Sequence, residues 1–158
     1  MPTEAATVTA ANPLPAMDRD FVQAATMLYS TSVDAGKLVH KTTSTADVRA
    51  FARHMIADSM RLLVQLKAVA PQGVTIPKDN SDTGLLDALR PLKGSDFDRA
   101  YVAKAGLEAH RQAIAAFEKE ATEGENLSLK QAAQEALPTL REHYLMAQKL
   151  GQKLGITQ

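Results

Sequence analysis

The chain contains no cysteine, which removes disulfides, thiolate nucleophiles and zinc–thiolate sites together. Aromatic residues make up only 4% of it and no stretch alternates at period two for long, so strands are not expected. Charge of one sign is also lacking: 18 Lys and Arg balance 18 Asp and Glu. With no basic block and no basic stripe studded with aromatics, nucleic acid is excluded as the main partner. No apolar run approaches the roughly 20 residues that a helical membrane span needs. Catalytic signatures are missing as well. There is no Gly-x-Ser-x-Gly elbow, no phosphate-cradling glycine loop and no defensible Ser, His and acid spacing, so an enzyme would have no named nucleophile, base or cofactor motif.

What is present is 158 residues, 45% of them hydrophobic, enough for one domain with a proper core. Residues 1–17, rich in Ala, Thr and Pro, have neither the charged nor the apolar region of a signal peptide. They read as a flexible lead-in left by processing, with the domain spanning 18–154.

Four long segments carry apolar residues at alternating steps of three and four, the spacing of bundle seams. The first, about 18–41, shows Phe21, Ala25, Leu28, Ala35 and Val39, and the TTSTAD stretch ends it. In the second, about 45–70, Ser44 stands three residues before Asp47 in the manner of a capping box, and Pro71 and Gly73 stop the helix. The third, about 95–123, starts near Ser95 and carries Leu107, Ile114 and Phe117. The fourth, about 128–153, starts near Ser128 and carries Leu129, Leu140 and Leu150. Pro138 inside it predicts a kink about a turn upstream. Between the second and third lies the longest connection, with a short helix at about 82–91 expected to lie over the bundle end. Short links after the first and third helices predict antiparallel neighbours. The expected fold is therefore all-α, an antiparallel up-down-up-down four-helix bundle of the ferritin-like kind.

Each stripe has one polar interruption near its midpoint: Ser32, Ser59, His110 and His143. At 1.5 Å of rise per residue, the four fall within on the order of 6 Å of one height and define a central polar layer. Two readings of it stand. In one, His110 and His143 satisfy each other, the serines or a trapped water and fix helix register. In the other, His110 and His143 hold a divalent transition metal, with Asp58 or Ser59 nearby and Asp34, Glu108 or Glu142 as further carboxylates within range. Against the metal, serine is a poor ligand, and the Glu-x-x-His pairs of di-iron bundles are absent because Leu107 and Leu140 hold those positions. His40 and His54 lie off the stripes and read as solvated, with His54 placed to pair with Asp58 four residues on.

The phrases FARHMIADS, FDRAY, ALPTL and the two late histidines, within residues 18–152, resemble the bacterial "domain of unknown function 4142" family. That resemblance implies a ferritin-like bundle, exported behind a signal peptide and without a settled activity. Members commonly read Met-hydrophobic-x-Asp-His in the second helix and often carry an acid near the position of Ser32. Here Ser59 stands where that histidine would be, so about half of any layer used by relatives is lost. The function expected is that of a non-enzymatic exported protein of the bacterial envelope, periplasmic, with no cofactor, serving stress tolerance or as a scaffold for a protein partner. The alternative is a metal or small-ligand binding protein built on His110 and His143.

Overall fold

Pro15 has its φ fixed where a helix begins, and the first helix follows it directly. The computed structural model describes residues 14–156 together with the pair 7–8. Its helices are α1 (Ala16–Thr42), α2 (Ala46–Val69), α3 (Thr83–Leu89), α4 (Gly94–Tyr101), α5 (Ala109–Glu123) and α6 (Leu127–Lys153). A π-helical segment, Val102–Glu108, joins α4 to α5 in one rod, so five helices pack together. Pro138 lies within α6, which is unbroken across it. No helix of the described residues is long and apolar enough to cross a membrane.

Several local expectations need correction. A short antiparallel pair exists after all: β1 (Thr7–Val8) lies against β2 (Val74–Thr75), with Val8 opposite Val74. The lead-in is thus tied to the long connection at that pair, and Leu14 belongs to the core; the remainder of residues 1–13 lies outside the described residues. Helix caps also differ. Thr45, not Ser44, precedes α2, and its hydroxyl donates to Asp98 at 2.6 Å rather than capping its own helix. Lys93 rather than Ser95 precedes α4, while α6 is capped by Asn126, whose side chain accepts from the Leu129 N–H.

The buried residues fall into two apolar clusters, and these give the direction of each helix. One cluster holds Phe21 to Tyr29 of α1, Leu62 and Leu66 of α2, Ala113 and Phe117 of α5, and Leu129 to Leu140 of α6. The other holds Ala35 and Val39 of α1, Val48 to Met55 of α2, Phe97 to Leu107 of the third rod, and Ala147 and Leu150 of α6. Followed along the chain, α1 and α6 run from the first cluster to the second, whereas α2 and the third rod both run from the second to the first. The order is up, down, down, up, not the up-down-up-down order expected. Contacts that close the ring agree: α1 packs on α2 and α5, and α6 packs on α5 and α2, each against a neighbour of opposite direction.

Two successive helices of the same direction require a connection that travels the length of the molecule. Residues 71–82 do this along a polar strip of α1. The Asn80 N–H donates to the Ser30 hydroxyl, Asn80 Nδ2 to Thr26, Ser81 to Asp34 and the Asp82 N–H to Thr31. Thr26, Ser30 and Thr31 are all buried by this strap, which is why α1 tolerates hydroxyls off its apolar stripe.

Candidate functional site: a buried histidine pair between two cores

On each long helix the residue where one apolar cluster gives way to the other is polar. Ser32 lies between Tyr29 and Ala35, Ser59 between Met55 and Leu62, His110 between Leu107 and Ala113, and His143 between Leu140 and Ala147. All four are buried. The structure brings the histidines together, their rings edge to face with centroids 5.5 Å apart. Nothing in the geometry joins Ser32 or Ser59 to them by a hydrogen bond.

The ring of His110 is fixed by its own helix. The π-helical turn closes with the Ala109 N–H on the carbonyl of Lys104, five residues back. The same spacing brings His110 Nδ1 to 2.9 Å from the carbonyl oxygen of Ala105. A carbonyl only accepts, so Nδ1 carries the hydrogen. Gly106 lets this widened turn sit against α6: a Cβ there would lie 2.9 Å from the Cβ of Ala147. Burial foremost, then the charge of His143, holds His110 down at about 4 against the opposing Ala105 bond.

His143 is anchored across helices. Its Nε2–H donates to Asp58 Oδ2 at 2.7 Å. Burial pushes the Asp58 carboxyl up, but the hydrogen bond and charge of His143, and then those of Arg61, together outweigh it and hold the group below its ordinary range. Asp58 is one quarter exposed, so the chain Asp58, His143, His110 leads from the surface to the interior. This overturns the pairing expected for Asp58: its partners are His143 and Arg61, while His54 is exposed and His40 half-buried. The other carboxylates considered lie elsewhere, Asp34 on the strap and Glu108 and Glu142 exposed. Among the described residues, no three His, Asp or Glu side chains converge as a metal-binding group.

Sequence reasoning missed the π-helical turn and the Asp58 contact. Gly106 in a helix interior was the one available signal of the first. A surface groove of about 230 Å³ runs beside this turn, lined by Asp82, Leu85, Lys104, Glu108, Ala109 and Gln112. Neither histidine lines it.

A family model described as "Domain of unknown function (DUF4142)" matches residues 3–150. No curated protein and no solved structure matches the chain.

Proposed function

The chain belongs to the DUF4142 family, and from that premise and the buried layer we propose a non-enzymatic, ferritin-like four-helix bundle of the bacterial envelope, exported to the periplasm and acting through its surface. The observation that carries this reading is that both imidazoles are held by the chain itself, His110 by a carbonyl and His143 by a carboxylate. A histidine pair anchored by the chain itself needs no ligand to hold its rings in place, and it sets the height at which four helices meet. Buried polar groups that pair only in one register penalise every slipped arrangement. For the surface, Met60 and Val64 stand one turn apart on α2 and are exposed, as is Leu145 on α6, which supports a protein partner as the target. Export rests on what the family resemblance implies.

A second reading has one observation in its favour. Metal-ligating histidines characteristically give their other N–H to a carboxylate or a backbone carbonyl, and both histidines here do so. His110 Nε2 and His143 Nδ1 are then the two nitrogens with lone pairs to offer. Two nitrogens fall short of the three or four ligands of ordinary zinc sites.

Metal analysis of tag-free protein, with thermal shifts in Zn, Cu, Fe, Mn and Ni, separates the two. The scaffold reading expects no stoichiometric metal and no shift, with His110→Ala and His143→Ala merely melting earlier. A stoichiometric metal lost in both variants would overturn it.

A further inference from the structure

At the far end of the molecule from the entry to α2, α1 begins beside the turn between α5 and α6, and two carboxyl groups are buried there together. Asp18 is 0% exposed and Glu120 1%. The two oxygens of Asp18 accept the backbone N–H groups of Glu125 at 3.2 Å and Asn126 at 3.0 Å, which ties the start of α1 to that turn. Glu120 has no such support: no N–H or hydroxyl donor among the described residues reaches either of its oxygens. Its carboxyl is folded back under Gly124, where a Cβ would come within 2.5 Å of Oε2, so only glycine leaves room for it.

A buried carboxylate without donors, next to a second carboxylate, is costly in ionised form. A single proton resolves this. Carried by Glu120, it donates to Asp18, whose oxygens remain acceptors for the turn.

We infer that Glu120 and Asp18 share one proton and so form a latch between α1 and the α5–α6 turn, closed at neutral pH and opened in alkaline solution. The charged groups facing it are Asp18 itself and Asp20 on α1, Lys119 on α5, and Lys130 on α6. Burial first, then the hydrogen bond and charge of Asp18, push Glu120 up to about 8, with Lys130 opposing. The sign follows from linkage. Unfolded, the carboxyl titrates near 4.5, and folded near 8, so the latch's stabilisation is complete below the first value and lost as pH rises through the second. Small cavity space beside Glu120, about 70 Å³ between Asp20, Lys119 and Phe21, gives water a short path to the ionising group.

The test is the carboxyl ¹³C titration of Glu120 in the intact protein, with hydrogen exchange of the Glu125 and Asn126 amides over the same range. The midpoint is expected near 8, and the two amides should exchange faster above it than base catalysis alone explains. In Glu120→Gln, whose amide donates to Asp18 without titrating, the excess exchange should vanish. A midpoint near the ordinary 4.5, or amide exchange that shows no excess above pH 8, would overturn the latch. Because the titration is read in the wild type, a variant that fails to fold does not shield the inference.

Discussion

His143 and Asp58 sit on different helices, and their contact joins two charge-capable groups at the margin of the core. His143→Ala removes a fully buried ring and its cross-helix bond, and we expect a loss of about 2–4 kcal/mol in denaturant unfolding. Asp58→Asn retains an oxygen that accepts the same N–H, so its cost should stay near 1 kcal/mol, the charge-assisted part of the bond. Equal losses for the two variants would mean that the ring's packing is not what counts. His110 carries a pH dependence of definite sign. Its folded value of about 4 lies below the ordinary 6.5, so the unfolded chain takes up the proton first and stability falls as pH drops from 6.5 toward 4. Glu120 contributes in the opposite direction over much of this range in both proteins, so the comparison carries the sign: unfolding midpoints in urea should lose more toward pH 4 in wild type than in His110→Gln. At this scale the sequence was informative: the polar interruptions of the four stripes marked the buried positions. The role of Asp58 was not legible, because a carboxylate one residue before Ser59 has no periodic signal to distinguish an outward from an inward reach.

The third helical rod shows how an element can hide a feature from its own pattern. Steps of three and four run through Ala103, Leu107, His110, Ile114 and Phe117, and they fit a plain helix as well as one with a widened turn. Only Gly106 gave a hint. The substitution Gly106→Ala sets two effects against each other. Alanine favours a helix interior by about 1 kcal/mol, but the new methyl would meet the Cβ of Ala147 at 2.9 Å and the Phe51 ring at 3.4 Å. Overpacking against a Cβ fixed to a neighbouring helix costs about 1–3 kcal/mol, so the clash should win and the variant should melt earlier with unchanged helical circular dichroism. A more stable variant would show that α6 is free to move away. Caps were misread for a related reason: Ser44 lies one residue before the cap of α2 at Thr45, and Ser95 and Ser128 lie inside the first turns of α4 and α6, because which polar residue ends a link depends on tertiary partners such as Asp98.

For the whole molecule, composition and periodicity identified an all-α chain with its long helices nearly in place, whereas the helix order came out differently. A connection placed across one end returns the third helix upward; the same length of chain, drawn out at roughly 3.3 Å per residue, can instead run the full height of a bundle. Deciding between them takes the pairing of the strap with Thr26, Ser30 and Thr31, and single hydroxyls on a helix carry no such signature. The observed order brings the end of α6 beside the start of α2, where Lys153 and Asp47 pair at 3.1 Å. Zero-length carbodiimide coupling should therefore yield a Lys153–Asp47 crosslinked peptide, which an up-down-up-down order would not allow. The role proposed for the histidine pair is to hold the helices in register through the Ala105 and Asp58 bonds, without a metal. The imidazole ¹⁵N spectrum of the intact protein, recorded alone and with added zinc or copper, tests it most directly. His110 should carry its hydrogen on Nδ1 and His143 on Nε2, both unchanged by metal; a stoichiometric shift of His110 Nε2 and His143 Nδ1 on metal addition would overturn the proposed role.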